Sequence, residues 1–422
     1  MEILDILNPW WKGKEISKEL ALPYKRKIFL KIKELLKLRQ IIIISGLRRV
    51  GKSTLLYQLI DELIISKTNP ENILYFSFDE KVESPLDVLK EYSELTKIDW
   101  KKEKCFIFFD EIQKLTEWSN KVKIIYDSFP NLKIFISGSS SFQLEKEAKS
   151  NLAGRHFIIN AEPLSFFEYL ELRKSKADLS KLELWEEEIK NEFKNYLLKP
   201  FPEIVNFEEL SLIKSYIKDS VIEKVLKIDL LKRFKNVNED LLTALIEIFY
   251  NNPGTYINYD EIAKEMKVSK KTLIEHTYYL EFAYVLRRIK NYRPRIRTTS
   301  RKLQRAYPFH WALMFGWTGK FDYETIVASF LDAKYYWRKD GKEVDFLVVD
   351  KLILPVEVKE SSKVTKTDIS SLIFFMTKFN LKKGIVVYNG EEENININDI
   401  VIHKIPLWKV FTKQGLLSEL SG

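Results

Sequence analysis

The stretch from Ile41 to Leu56, IIIISGLRRVGKSTLL, limits what this chain can fold into more than any other. Four β-branched residues, Ile41 to Ile44, read as a strand buried on both faces. Gly46-Leu-Arg-Arg-Val-Gly51-Lys52-Ser53-Thr54 then turns the backbone, and Leu55-Leu56-Tyr57 opens a helix. Gly46 and Gly51 let successive N–H groups point inward, and the helix N-terminus adds partial positive charge. The spacing G-x-x-x-x-G-K-S is what a nucleotide's phosphate chain requires. Lys52 is expected to reach the β- and γ-phosphates and Ser53 to ligate Mg²⁺. Arg49 and Thr54, in the same loop, are further candidates for contacting ATP. A plain glycine turn needs neither the lysine nor the hydroxyl.

A second apolar run, Cys105-Phe-Ile-Phe-Phe109, ends in Asp110-Glu111. It describes a buried parallel strand whose carboxylates meet the phosphate loop. Asp110 is expected to hold Mg²⁺, and Glu111 to polarise the attacking water as general base. The strand Leu132 to Ile136 runs into Ser137-Gly-Ser-Ser-Ser141. Its hydroxyls, Ser139 among them, either sense the γ-phosphate or form an ordinary Ser/Gly turn; the sensor is favoured. Trp10 and Trp11 either stack on adenine or pack against the core, and packing is favoured.

Beyond this point the motifs resemble a known family. A G-x-R-R-x-G-K-[ST] loop, a D-E-[IV]-Q strand end, an S-G-S-S-S segment, Leu152-Ala-Gly-Arg155 and Pro163-Leu-Ser-Phe166 occur in the order found in AAA-type ATPases of archaea and bacteria. The resemblance implies a parallel sheet in which another strand lies between the two nucleotide-site strands. It also makes Arg155 a candidate to contact the γ-phosphate of its own or a neighbouring subunit, hence a homo-oligomer. The family's usual Gly-Gly-Phe-Pro stands here as Lys199-Pro-Phe-Pro202.

The domains expected are the ATPase with its N-terminal extension over 1–172, a charged helical lid over 173–236, a winged helix-turn-helix over 237–300 and a final α/β domain over 301–422. In the third, Leu241 to Phe249 reads as a first helix, and Asn258 with Glu261 caps a second. The last of the three, from Ser269, would show Lys270, Lys271, Thr272 and His276 to solvent. No acid lies between Glu281 and Asp322, a span holding Arg287, Arg288, Lys290, Arg293, Arg295, Arg297 and Arg305. Such a one-signed stretch suits a phosphate backbone, DNA being favoured, with RNA or mere packing as the other readings. The formal charge of +9 points the same way.

The last domain carries Asp345-x(11)-Glu357-x-Lys359 on two expected strands, preceded by a helix with Glu324. Glu357 and Lys359 share a strand face. Two carboxylates can hold Mg²⁺ (or Mn²⁺) while the lysine positions water, and Glu324 can complete the site. The order resembles the restriction-endonuclease-like PD-(D/E)XK fold, which implies phosphodiester cleavage; a fold that holds its target without cutting is the alternative. His310 stands where relatives of this kind tend to carry Asp.

One cysteine, Cys105, precludes an intramolecular disulfide, and four scattered histidines lack ligand spacing. No apolar run reaches the ~18 residues of a membrane span. Met1-Glu-Ile-Leu-Asp lacks a signal peptide's basic flank and apolar core, so a cytoplasmic location is expected.

Overall fold

The structure, a computed structural model, describes residues 2–13, 15–80, 82–138, 147–293 and 304–412. The chain divides into two compact units: Met1–Leu164 with Phe201–Glu203 and Phe282–Tyr284, and the remainder. The three segments expected after the ATPase therefore belong mainly to one unit.

Among the described residues, the first unit holds a parallel sheet of β1 (Ile41–Ser45), β2 (Ile73–Ser77), β3 (Cys105–Asp110), β4 (Leu132–Gly138) and β5 (His156–Asn160). Their order is β2-β3-β4-β1-β5. β1, β3 and β4 are buried throughout, as their apolar runs dictate. Because β4 lies between β1 and β3, the loop after β1 and the carboxylates ending β3 face each other across one strand, about 10 Å apart.

The exposed edge of this sheet, β2, is closed by side chains. The Asn8 amide donates to the Tyr75 carbonyl (2.9 Å) and its oxygen accepts from the Tyr75 N–H (2.7 Å), imitating one residue of a further strand. Trp10 and Trp11 both donate their indole N–H to the Ile73 carbonyl, at 3.0 and 2.8 Å. The tryptophan pair thus packs on the sheet edge.

The second unit is organised by a nine-stranded sheet among its described residues, in the order β13-β14-β12-β11-β10-β9-β7-β8-β6. The strands are β6 (Thr255–Tyr256), β7 (Leu286–Asn291), β8 (Gln304–Pro308), β9 (Tyr335–Lys339), β10 (Lys342–Val349), β11 (Ile353–Val358), β12 (Lys383–Tyr388), β13 (Glu393–Ile397) and β14 (Ile400–Pro406). β6, β7 and β8 form an antiparallel set behind the helices Glu239–Asn251, Tyr259–Glu265 and Lys270–Phe282. β7 also pairs in parallel with β9, so the boundary expected at residue 300 divides a continuous sheet. Residues 304–308, QRAYP, gave no strand signal in sequence because their charge and polarity break the apolar pattern, yet all five are buried.

Two histidines depart from expectation. His276 is buried: its Nε2 accepts from the Asn238 N–H (2.8 Å) and its Nδ1 donates to the Thr272 carbonyl (2.8 Å). It locks the start of one helix to the middle of another instead of facing solvent.

His310 caps the helix Trp311–Thr318, its Nδ1 accepting from the Ala312 N–H at 3.2 Å. An aspartate would serve the same capping role. Burial, with the Arg287 charge added, pulls the His310 pKa from 6.5 down to about 3. The neutral imidazole therefore contributes stability that is fully present above pH 6.5 and is lost as pH falls toward 3. Between those limits wild-type protein should lose up to roughly 1.4 kcal/mol per pH unit from this group. His310→Asn keeps a cap and should flatten that slope in denaturant titrations at pH 7.5 and 5; an unchanged slope would remove His310 as the cause.

Candidate functional site

In the first unit the phosphate loop is shaped by close backbone approach. The Ala161 N–H donates to the Ser45 carbonyl at 2.6 Å, so at Gly46 (φ +152°) a Cβ would run into the Ala161 oxygen. Gly51 (φ +88°) precedes the helix Lys52–Ile65. Lys52 is buried, with Nζ donating to the carbonyls of Gly46 (3.2 Å) and Leu47 (2.7 Å) across the loop. Thr54 follows Ser53 in the first helical turn, half-buried. Arg49 has its guanidinium 3.2 Å from Glu203, at the surface.

Asp110 gathers donors from four places. Ser53 Oγ (2.6 Å), Tyr75 OH (2.8 Å), the Glu111 N–H (3.0 Å) and Ser137 Oγ all donate to its carboxylate. Ser53 and Asp110, side by side, are the hard oxygen donors that Mg²⁺ prefers when phosphates supply the rest. Glu111 follows β3 in left-handed geometry (φ +52°) and accepts from Gln113 Nε2 at 2.5 Å. Burial pushes its pKa above the usual carboxylate value, with the nearby Lys52 charge opposing. A raised carboxylate is a better proton acceptor at neutral pH. Ser139 lies outside the described residues; Ser137, two residues earlier in β4, is the hydroxyl seen at Asp110.

Arg155 does not reach this centre. It precedes β5, whose His156 pairs with Ile41 at the start of β1, while the phosphate loop follows the end of β1. That is the opposite end of the strands, some five residues or about 17 Å away. Its guanidinium is held by Asp127, at 2.7 and 3.1 Å. Contact with the γ-phosphate of its own subunit is therefore excluded.

Arg26 was not singled out from sequence, since one basic residue among Lys25, Lys27 and Lys31 carries no signal. In the structure it is buried, donating to the carbonyls of Val50 (3.0 Å), Glu162 (3.0 Å) and Pro163 (3.3 Å). It braces the phosphate loop against the segment after β5. Arg26→Met should lower kcat/KM for ATP by about tenfold or more through loop misplacement, without removing any group that touches phosphate. Unchanged steady-state kinetics would make Arg26 a bystander.

Residues 38–170 match the family model described as an AAA domain. This unit carries an AAA-type ATPase domain. Residues 190–313 and 323–409 match two domains of unknown function, DUF8612 and DUF4143. The chain is 28% identical over 399 residues to an uncharacterized protein of Methanocaldococcus jannaschii, with 87% of each chain covered. A second uncharacterized protein of that organism is 31% identical over 278 residues, 60% of this chain and 57% of the relative. One from Haemophilus influenzae is 29% identical over 257 residues, covering 59% and 62%. The chain thus spans less than two thirds of the latter two. Among solved structures, the Walker-type ATPase of Pyrococcus abyssi is similar with a TM-score of 0.39 and 16% identity, over 69% of this chain and 95% of that one. The Aeropyrum pernix ORC2 protein in its ADP form gives 0.33 and 10%, over 70% and 95%.

Apart from the ATPase domain, a second cluster lies in the other unit. The register of β10 against β11, Phe346 opposite Val356, continues to place Asp345 opposite Glu357. A bulge in β10 against β9 falls at Asp345 and Phe346, where it re-aims the strand's side chains. The Val358 N–H donates to Asp345 Oδ2 (2.8 Å), and Lys359 Nζ donates to Glu357 Oε1 (2.7 Å). Burial and the facing carboxylate push Asp345 well above the usual carboxylate range; burial raises Glu357 too, against the pull of Lys359. Glu357 Oε2 is buried with no hydrogen-bond partner.

Glu324 is turned to other partners. Its Oε2 accepts from Arg305 (2.9 Å) and from Tyr307 OH (2.7 Å), both on β8. Arg305 also lies 3.1 Å from Glu343 and 3.8 Å from Asp345, and Tyr256 OH donates to Glu343 at 2.5 Å. Gly254 (φ +78°) leaves room for Arg305 and Tyr307 to pass where a Cβ would collide with both. Among the described residues, no group of three or more His, Cys, Asp or Glu is arranged to hold a metal ion.

Three arginines of the basic stretch are neutralised within the fold. Arg287 is buried against Asp332 and the Phe309 ring, Arg288 pairs with Glu281 (2.9 Å), and Arg305 faces the carboxylates above. These three are corrections to the nucleic-acid reading, because their guanidinium groups point inward. Lys271 and Lys290 are exposed, Lys270 is exposed beside Asp260 (2.7 Å), and Arg293 is half-buried. Arg295 and Arg297 lie outside the described residues. No described helix is long and apolar enough to cross a membrane.

Proposed function

We propose that this protein is an ATP-hydrolysing nucleic-acid-processing enzyme, in which the AAA-type domain turns over ATP and the second unit cleaves phosphodiester bonds. The observation that carries the cleavage reading is the pairing of Asp345 with Glu357 across β10 and β11, Lys359 on the same strand face and one Glu357 oxygen unpartnered. Two carboxylates with water are how Mg²⁺ is commonly held, so the residues fit the ion. When bound, the ion supplies charge stabilisation and an acidified water. Asp345 and Glu357 would hold it, and Lys359 would orient the attacking water. Glu324 would act through Arg305 rather than as a ligand.

In the ATPase domain, Lys52 would leave its loop carbonyls for the β- and γ-phosphates, Ser53 and Asp110 would hold Mg²⁺, and Glu111 would accept the proton of the attacking water. Arg155, remote from its own nucleotide, would have to leave Asp127 to meet the nucleotide of a neighbouring copy, the one arrangement in which it suits a homo-oligomer. Lys270, Lys271, Lys290 and Arg293 are the basic residues in reach of a DNA backbone. Winged-helix character for residues 237–308 is supported by the order of helices and strands there, and the restriction-endonuclease-like reading by the strand pairing around Asp345.

A second reading is an ATP-switched binding protein that holds nucleic acid without cutting. It is favoured by the engagement of Glu324 and Glu343 with Arg305. Incubation with linear, circular and single-stranded DNA, with Mg²⁺ or Mn²⁺ and with or without ATP, decides between them. Cleavage lost in Glu357→Ala supports the nuclease. No cleavage with ATPase activity intact supports the switch.

A further inference from the structure

Arg305 was expected on a nucleic-acid surface, and its burial among acids calls for another role. Its side chain is 10% exposed, and it lies at the meeting point of β6, β8, β10 and the helix Tyr323–Phe330. Nε donates to the Gly254 carbonyl (2.7 Å) and NH2 to Glu324 (2.9 Å), while NH1 lies 3.1 Å from Glu343 and 3.8 Å from Asp345. Tyr307 and Tyr256 supply the other donors to Glu324 and Glu343. Thus Glu324 is held by the guanidinium and Tyr307, while Glu343 is held by Tyr256 with the guanidinium beside it as an ion pair, its NH1 making no hydrogen bond.

The remaining two behave differently. Asp345 receives one backbone N–H, and Glu357 receives Lys359 on Oε1 and nothing on Oε2. A buried carboxylate oxygen without a donor is costly. With all four carboxylates ionised and Arg305, Lys359 and Arg338, which lies 3.8 Å from Glu343, all charged, the cluster carries a formal excess of one negative charge. One divalent cation more than offsets it, and a second would only add to the positive excess.

We propose that Arg305 is a resident cation of this centre, a positioning residue that holds Glu324 and Glu343 away so that Asp345 and Glu357 take a single divalent metal ion. The guanidinium lies 2.9 Å from Glu324, 3.1 Å from Glu343 and 3.8 Å from Asp345, a fixed positive charge among three carboxylates. Because Arg305 comes from β8, Tyr256 from β6 and the ligands from β10 and β11, the module before residue 310 sets the metal stoichiometry of the strands after it. This inference rests on the metal-centre reading proposed above.

Mn²⁺ titration of the nucleotide-free protein, with free Mn²⁺ counted by electron paramagnetic resonance, tests it. Wild type should lose one bound ion per chain on Glu357→Ala. Glu324→Gln should leave that ion and its affinity unchanged, since Glu324 is not a ligand. Arg305→Gln should admit a second ion, and Arg305→Lys should retain one.

If Glu324→Gln weakens Mn²⁺ binding tenfold or more, Glu324 is a ligand and the role given to Arg305 is overturned. A folded Arg305→Gln that still binds one ion overturns it as well, with folding read from circular dichroism. If wild type and Glu357→Ala bind equally, the metal-centre reading itself fails, and the role of Arg305 with it. The Glu324→Gln arm stands even if Arg305→Gln does not fold.

Discussion

Glu111→Gln should keep ATP bound while turnover falls by about 10²–10⁴-fold, the usual contribution of a positioned general base. Glutamine preserves the shape and the contact with Gln113 but cannot accept the water's proton. Lys52→Ala should act earlier. Its Nζ bridges the Gly46 and Leu47 carbonyls, which poises it inside the loop, and removing it takes away the one buried ammonium expected to meet the phosphates. Nucleotide binding should then be lost together with turnover. Equilibrium binding of a fluorescent ATP analogue beside a phosphate-release assay separates the two outcomes. A Glu111→Gln protein that no longer binds would make Glu111 structural, and a Lys52→Ala protein with unchanged turnover would sink the phosphate-loop assignment.

Glu357→Ala should abolish metal-dependent cleavage, by about a thousandfold or more. The metal's share of transition-state stabilisation is several kcal/mol, and each 1.4 kcal/mol is worth about tenfold in rate. ATP turnover should persist, because Glu357 belongs to the other compact unit. Cleavage of labelled linear and circular DNA, run beside phosphate release, measures both. Cleavage that survives Glu357→Ala would place the chemistry elsewhere, and cleavage insensitive to Lys52→Ala would show that ATP does not gate it.

The strands of the ATPase domain were legible because each is a short apolar run closed by polar residues. Runs such as Ile41 to Ile44 and Cys105 to Phe109 can satisfy their period only inside a parallel sheet. The phosphate-loop glycines, Lys52, Ser53, Asp110 and Glu111 were legible for a related reason: local backbone shape and fixed spacing define their roles. Asp345, Glu357 and Lys359 were equally readable, since two neighbouring strands with a tight connection bring opposite positions together.

What sequence could not decide was the fate of charge. The span from Glu281 to Asp322 has no acid within it, and in one dimension that reads as a surface for phosphate. In the fold, Arg287 finds Asp332, Arg288 finds Glu281, and Arg305 finds Glu324 and Glu343, so part of the run is spent internally. The pairing of β7 with β9 lies beside the Arg287–Asp332 pair, whereas Arg288 meets Glu281 from the helix just before β7, and Arg305 on β8 meets Glu324 and Glu343 from a helix and from β10. His276 and Arg26 teach the same lesson, because a helix face and a loop brace are defined by what packs against them. The sequence by itself picked out the phosphate-loop residues that the structure places beside Asp110, whose geometry is local, and two carboxylates that adjacent strands bring together as candidate metal ligands. Only the tertiary structure decided which cations remain for a partner, since neutralisation of a buried charge depends on distance in space and not along the chain.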